Sequence, residues 1–250
     1  MQNDTVFISS GANIAPDAVI GSGCRVNAGV TVGAGVVLGT GVILHPGVTL
    51  EKGCSVGDYS VLGKPPKLSP SSTVVQVEGV LPLLVQEGTN IGSHVIVCCG
   101  SRIGAGVTVA DFALVRERVD VGDGSVVGSQ VVVENDVRIG RKVKIQSKAY
   151  ITALVVIEDF AFIAPCVIFT NDNFMGRTQE RFKVKGGARV RRGARVGAGA
   201  VILPNIVVGE EAFVAAGSVV ARNVPDKKLV MGSPARVLRD VPEKEWADNQ

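Results

Sequence analysis

The chain contains 250 residues, of which 46% are hydrophobic and only 4% aromatic, and its formal net charge is +3. It shows no apolar run long enough to cross a bilayer and no signal-peptide pattern, and its five cysteines lack metal-ligand spacing. We therefore expect a cytoplasmic protein without a membrane span or a bound metal.

A small aliphatic residue recurs at every sixth position through three blocks of the chain. The blocks run from Ile8 to Leu62, from Val85 to Phe169 and from Val184 to Val220, and a second small residue follows each aliphatic by four positions. A helix repeats every 3.6 residues and an ordinary strand every two, so neither explains the pattern. A hexapeptide period predicts an all-β parallel β-helix with one short strand and one turn per hexad.

Three hexads make one triangular coil, so the period predicts a single domain, residues 1–250, of about ten coils. The repeats are expected at 6–63, 85–169 and 184–220. Glycines such as Gly21 and Gly92, which directly follow the aliphatic residue, are expected to turn the corners with positive φ.

Two breaks in the period predict loops at 64–84 and 170–183, where repeat proteins often bind their ligands. The tail, residues 221–250, is expected to form a short helix that covers the last coil.

Positive charge is concentrated near the C-terminus. Between Arg177 and Arg239 there are 13 Lys or Arg residues and 4 Asp or Glu residues, an excess of nine, which leaves minus six for the rest of the chain. This asymmetry predicts an anionic partner. A polyphosphate small molecule fits better than nucleic acid, because no helix motif or aromatic interleaving accompanies the charge.

Two segments of the C-terminal part, 220–225 (VARNVP) and 230–236 (VMGSPAR), resemble the C-terminal signature of the hexapeptide-repeat acyltransferases. The resemblance implies a left-handed β-helix, a homotrimer and acetyl-CoA as cosubstrate. Segments 111–118 (DFALVRER), 145–147 (IQS) and 169–172 (FTND), with Gly176 and Arg177, are similar to N-acetyltransferases of nucleotide-linked amino sugars, in particular 3-amino-3,6-dideoxyhexoses carried on dTDP or UDP.

The same resemblance implies the binding residues. CoA is expected along turn residues that let its pantetheine arm lie close, with arginines near its phosphates: Ala198, Gly199, Ala216, Gly217, Arg222 and Arg236. The resemblance also implies that Asn171, Asp172 and Arg177 bind the acceptor sugar. Lys64, at the start of the first loop, is expected to contact the same sugar. Ser101 belongs to the same neighbourhood, but it stands at an inward small position, where a structural role is the alternative.

Three residues are candidates for a catalytic role. His94 and Asp111 follow aliphatic residues that stand 18 positions apart, so they should lie on one prism edge, one coil apart. Many relatives carry His where this chain has Asp111, so we expect the Asp111 carboxylate to receive the proton of the attacking amine. Glu158 lies at another turn position and is expected to serve a neighbouring subunit's cleft. Direct attack without a protein base also remains open.

Other functions compete with an N-acetyltransferase. An O-acetyltransferase should show a His near the CoA-binding coils, because a hydroxyl needs stronger base catalysis than an amine. An acyl-cysteine route would use Cys98 or Cys99, with His94 as the only available partner. A γ-carbonic-anhydrase-like zinc site needs three His, and the chain has two. A non-catalytic scaffold would leave the basic C-terminal part unexplained.

Overall fold

The structure, a computed structural model, describes residues 5–70, 74, 79–184 and 186–249. Short strands and turns alternate along the chain and stack into three parallel sheets, which we call the first, second and third sheets. Each strand pairs with a strand one coil away, as in Leu114↔Val132. Residues 71–73 and 75–78, inside the predicted 64–84 loop, lie outside the described residues.

The sheets contain 11, 10 and 12 strands in the described chain. The first sheet consists of Phe7–Ile8, Arg25–Val26, Ile43–Leu44, Val61–Lys64, Ile96–Cys98, Leu114–Val115, Val132–Val133, Tyr150–Ile151, Ile168–Phe169, Val201–Ile202 and Val219–Val220. The second consists of Asn13–Ile14, Thr31–Val32, Thr49–Leu50, Leu84–Val85, Arg102–Ile103, Asp120–Val121, Arg138–Ile139, Val156–Ile157, Arg189–Val190 and Val207–Val208. The third consists of Val19–Ile20, Val37–Leu38, Ser55–Val56, Asn90–Ile91, Thr108–Val109, Val126–Val127, Lys144–Ile145, Phe162–Ile163, Arg195–Val196, Phe213–Val214, Lys228–Gly232 and Ala235–Asp240.

The core is a narrow column inside the three sheets. The second residue of nearly every strand points inward, and so does the small residue four positions later, as Val109 and Ala113 show with 0% and 2% exposure. One coil cannot bury these side chains alone, so stacking supplies the hydrophobic stabilisation. The predicted parallel β-helix is confirmed. The coil count is slightly higher than ten, because Lys228–Gly232 continues the third sheet beyond Val220.

The expectation for the glycines was wrong about the reason they are needed. Positive φ occurs three residues after the aliphatic, as at Gly23 (φ 68°), rather than directly after it. Gly92 is required for space instead, since a Cβ there would lie 2.7 Å from the backbone nitrogen of Asp111 in the next coil. The coils approach so closely at this position that a side chain would separate them.

Both loops leave the first sheet and enter the second, so they project from the same edge of the prism. Their bounds differ from those predicted: Lys64 and Leu84 belong to strands, which limits the first loop to 65–83. The second loop spans 170–188, because Val184 lies in a short helix, Arg181–Val184, and is half exposed. Val184 is therefore not a repeat residue, and the third block begins at Arg189–Val190.

The tail forms a hairpin rather than a single helix. Lys228–Gly232 pairs antiparallel with Ala235–Asp240, and 3₁₀ turns follow at Glu243–Glu245 and Ala247–Asn249. The turns return along the side of the prism, where Arg195 binds Glu245 at 3.0 Å. Of the predicted structure of the tail, only its short helical turns are observed.

Candidate functional site

The three edges of the prism are named by the sheets they join: first–second, second–third and third–first. His94 and Asp111 both lie on the third–first edge, one coil apart and exposed, as predicted. The Asp111 carboxylate does not bind the imidazole. Its Oδ1 accepts a hydrogen bond from the backbone N–H of Ser93 at 2.8 Å.

The bond made by Asp111 recurs along the prism. Asp58, Asp123, Asp159 and Asp226 occupy the same turn position, and each accepts a hydrogen bond from a backbone N–H one coil earlier, at 2.7 to 3.0 Å. Asp111 therefore has a structural task. Within the described residues its second oxygen, Oδ2, accepts no hydrogen bond. That oxygen remains available to a ligand.

His94 is held in a stack of aromatic rings. Its ring lies 5.4 Å from that of Tyr59 and 5.0 Å from that of Phe112, measured between centroids and nearly parallel. All three residues have positive φ, so the same turn geometry projects them outward in register. Aromatic stacking accounts for the orientation of His94. Within the described residues, the imidazole has no hydrogen-bonding partner that would orient it as a general base.

The residues expected to bind CoA divide between two edges. Ala198, Gly199, Ala216 and Gly217 form exposed turns in adjacent coils of the third–first edge, and a Cβ at either glycine would meet nothing within 4 Å. This open strip fits an extended pantetheine arm. Arg236 pairs with Met231, which directly follows Val230, the residue in register with Val214, so Arg236 lies toward the end of the same edge. Arg222 instead follows Val219–Val220 and lies on the first–second edge.

Distance along the prism separates Asp111 from the turns that are expected to bind CoA. Four coil steps lie between the turns of Asp111 and Ala198, which corresponds to about 19 Å at ~4.8 Å per strand spacing. Only a long, extended ligand lying along the third–first edge can contact both.

The residues expected to bind the acceptor lie on the first–second edge. Asn171 donates to the carbonyl of Ala153 at 3.5 Å. Asp172 organises the 170–188 loop: its oxygens accept from the N–H groups of Phe174 and Gly176 at 2.8 and 2.9 Å. Arg177 is exposed beside them.

Two of the residues expected to bind the acceptor, Lys64 and Ser101, do not share a site with the other three. Lys64 lies on the first–second edge, but five coil steps, roughly 24 Å, separate it from Asn171. One sugar ring cannot reach both in a single chain. Ser101 is 2% exposed, and its hydroxyl donates to the Arg116 carbonyl and accepts from Val119 N–H. Ser125 makes the same pair of bonds, so this inward serine is structural.

The acyl-cysteine route loses its chemical basis. Cys98 is 6% exposed, and burial, reinforced by the Glu117 carboxylate, raises the pKa of its thiol to about 11. Burial also raises the pKa of Cys99. Cys98 ends a strand of the first sheet and Cys99 follows it, whereas His94 lies on the third–first edge before that strand, so neither thiol has an imidazole beside it.

Glu158 lies on the second–third edge, away from Asp111. Its carboxylate binds the Arg189 guanidinium at 3.1 Å and accepts from the N–H of Arg192 at 3.2 Å. The structure thus gives it a stabilising role within its own chain.

A charged cluster between the two loops was not singled out from the sequence. Glu117 is fully buried and is held by two hydrogen bonds from Arg116, which also binds Glu134 at 3.0 Å. In the same turns, Nε and Nη2 of Arg118 donate hydrogen bonds to the two carboxylate oxygens of Asp136, at 2.6 and 2.8 Å. The spacing of 18 between Arg116 and Glu134, and between Arg118 and Asp136, places each pair in adjacent coils. That spacing is the signal that could have revealed them.

A cleft of about 690 Å³ was also missed. It lies where the C-terminal turns cross the third sheet near the second–third edge. Its lining includes Lys142, Lys144, Phe160, Phe162, Arg195 and Lys244.

Residues 187–222 match the family model described as bacterial transferase hexapeptide (six repeats). This segment of the chain is similar to that repeat family. This confirms the resemblance on which the expectations rested, and the matched residues include the turns of Ala198, Gly199, Ala216 and Gly217.

Curated relatives match over short segments. A serine acetyltransferase of Buchnera aphidicola is 40% identical over 72 residues, which cover 29% of this chain and 26% of that protein. The dTDP-3-amino-3,6-dideoxy-alpha-D-galactopyranose 3-N-acetyltransferase of Aneurinibacillus thermoaerophilus is 50% identical over 48 residues, covering 19% and 25%. The chain therefore spans about a quarter of the length of each of these two relatives.

Solved structures align over more of the chain. The UDP-N-acetylglucosamine acyltransferase of Francisella novicida is 17% identical, with a TM-score of 0.48, and the alignment covers 96% of this chain and 70% of that one. A hexapeptide-repeat acetyltransferase of Vibrio cholerae, complexed with acetyl coenzyme A, is 24% identical with a TM-score of 0.41, covering 49% and 71%.

Over 5–70, 74, 79–184 and 186–249, no helix is long and apolar enough to cross a membrane. The same residues contain no group of three or more His, Cys, Asp or Glu side chains arranged to hold a metal ion.

Proposed function

We propose that the protein is an acetyl-CoA-dependent N-acetyltransferase of a nucleotide-linked amino sugar, carried on dTDP or UDP. The observation that carries the proposal is the open strip of small turn residues at Ala198, Gly199, Ala216 and Gly217, inside the segment that matches the transferase repeats. The partial match to a dTDP-amino-sugar N-acetyltransferase supports the acceptor class.

The outer face of the first sheet supports a trimer. Its outward residues from Ile43 to Val219 are apolar or aromatic in nine consecutive coils: Ile43, Val61, Ile96, Leu114, Val132, Tyr150, Ile168, Val201 and Val219. A ladder of this kind is typical of a protein interface. In a homotrimer with the first sheets facing the threefold axis, the third–first edge of each copy meets the first–second edge of its neighbour.

This arrangement joins the two halves of the site. One copy supplies Asp111 and the CoA-binding turns, and its neighbour supplies Asn171 and Arg177 from the 170–188 loop. The acceptor then lies with its amine near Asp111 and its diphosphate toward Arg177, which can bind it by charge-assisted hydrogen bonds. Asp111 and the 170–188 loop differ by three coil steps, about 14 Å, so the acceptor lies along the prism.

The chemistry is a direct acyl transfer. The amine nitrogen forms a bond to the thioester carbonyl carbon while the carbon–sulfur bond breaks. The amine proton passes to Oδ2 of Asp111 and then to the departing thiolate, so the products are the amide and free CoA thiol. Asp111 keeps its Oδ1 bond to Ser93 throughout, which fixes the direction of Oδ2.

A hydroxyl acceptor is the second candidate, because the match to a serine acetyltransferase covers more of the chain than the amino-sugar match. The deciding experiment measures thiol release from acetyl-CoA against dTDP- and UDP-linked amino sugars, serine, and the corresponding hydroxyl sugars. Release with an amino sugar is expected. Release only with hydroxyl acceptors would contradict the amine assignment, and no release with any acceptor would favour a scaffold.

A further inference from the structure

The cleft under the C-terminal turns has the composition of a ligand site. Its volume of about 690 Å³ falls within the ~300–1,000 Å³ range of small-molecule pockets. Phe160 and Phe162 supply an apolar floor, and Lys142, Lys144 and Arg195 surround it with positive charge. Neither of the two proposed substrate subsites lies on this edge.

The tail that closes the cleft is fixed to the prism by several contacts. Arg195 binds Glu245 at 3.0 Å, and the N–H of Ala247 donates to the buried carboxylate of Glu211 at 3.1 and 3.2 Å. The Lys227 ammonium lies 3.9 Å from the centroid of the Trp246 ring. The wall made by the tail is therefore preformed, and a ligand need not order it on binding.

The cations at the opposite wall lack carboxylate partners. Within the described residues, no carboxylate lies in ion-pair distance of Lys142 or Lys144, and the contact that Lys142 makes is with the Phe160 ring, 5.8 Å from its centroid. Arg195 Nε is buried without a hydrogen-bond acceptor. The one acidic residue lining the cleft, Glu245, is paired with Arg195. The net charge of the lining is positive.

We infer that this cleft binds a diphosphate carried on a ring-containing body, such as a nucleoside diphosphate. The volume exceeds that of a single phosphate group. Lys142 and Lys144, two residues apart, can each bind one of the two phosphates. The phenyl rings provide the apolar surface on which the remainder of the ligand packs.

Calorimetric titration at constant ionic strength tests the inference on the full chain, with ADP, inorganic pyrophosphate and adenosine as probes. We expect saturable binding of ADP and weaker binding of pyrophosphate. Lys144→Gln should weaken both at least fivefold. Phe162→Ala should weaken ADP severalfold while leaving pyrophosphate unchanged, because the ring contacts only the body of the ligand.

Lys148→Gln is the matched control. Lys148 is exposed in the same coil as Lys144 but lies on the third–first edge, where CoA is proposed to bind. Binding should survive this change. Equal losses in the two lysine variants would show that the anion binds elsewhere and would overturn the inference. Absence of saturable binding, or pyrophosphate binding as tightly as ADP, would do the same. None of these readouts depends on acetyl transfer.

Discussion

The first and second sheets have the same interior but different exteriors. Inside, both repeat an aliphatic residue and a small residue with a period of six. Outside, the first sheet presents an apolar ladder from Ile43 to Val219, while the second presents polar or charged residues at seven of its ten described strands: Asn13, Thr31, Thr49, Arg102, Asp120, Arg138 and Arg189. Inward residues repeat every six positions, and this period specifies the fold. Outward residues of one sheet recur every 18 positions, and their character determines which face can form an interface.

The largest effect is expected from a charge placed on the apolar outer face of the first sheet. Val132→Lys should dissociate the proposed trimer and abolish most acetyl transfer, because an unpaired ammonium would be buried in the proposed interface. Val156→Lys is the matched control, since both valines are outward and half-buried, but Val156 lies on the second sheet. Light scattering should report a smaller particle for the first variant alone. The same mass for both variants would contradict the assignment of the interface.

Truncation of an inward side chain should lower the free energy of unfolding in any of the three sheets. Ile151 is fully buried, and Ile151→Ala should lower the free energy of unfolding by about 2–5 kcal/mol, through lost burial and the cavity left behind. Val132→Ala, the outward neighbour in the first sheet, should change the stability of the separated chain by less than about 0.5 kcal/mol. Denaturant titration at low protein concentration measures both. Equal losses would mean that inner and outer positions are not distinct.

Asp111 and Asp123 lie in two turns in which the aspartate accepts the same kind of backbone hydrogen bond. Asp111→Asn should lower turnover by about 100-fold, since the amide preserves the bond to Ser93 N–H but cannot accept a proton. Asp123→Asn alters the equivalent bond, 3.0 Å to the N–H of Ala105, on the second–third edge and should leave turnover unchanged. Wild-type turnover in the Asp111 variant would mean that the carboxylate only stabilises the turn, and it would favour direct attack without a protein base.

The smallest expected effect concerns pH. Hydrogen bonds from Arg118 lower the pKa of Asp136. The stability that this pair contributes is complete above the unfolded-state pKa, near 3.9, and is lost as the pH falls through the lower folded-state value. Asp136→Asn should therefore cost about 1 kcal/mol at pH 7, with the difference from wild type shrinking below pH 4. A difference independent of pH down to pH 2 would refute the contribution of the ion pair.

How far the sequence predicts this molecule depends on the range of each interaction. The coils follow from a local period. The shared edge of His94 and Asp111 follows from the spacing of 18 between Ile91 and Val109, the aliphatic residues that precede them. Local spacing places Ser101 at an inward position, four residues after Val97. It could not show that Asp111 caps a turn, because that bond depends on how closely successive coils approach. The cleft depends on the tail, whose contact between Arg195 and Glu245 joins residues 50 positions apart. No periodic signal carries that information.

The most direct test of a site shared between copies is complementation. Asp111→Asn disables the third–first edge, and Asn171→Ala disables the first–second edge. Each variant alone should be nearly inactive. If the two chains are unfolded together and refolded as mixed trimers, about a quarter of the clefts should combine two intact edges, and activity should recover in proportion. Mixed trimers as inactive as their parents would contradict a cleft built from two neighbouring chains.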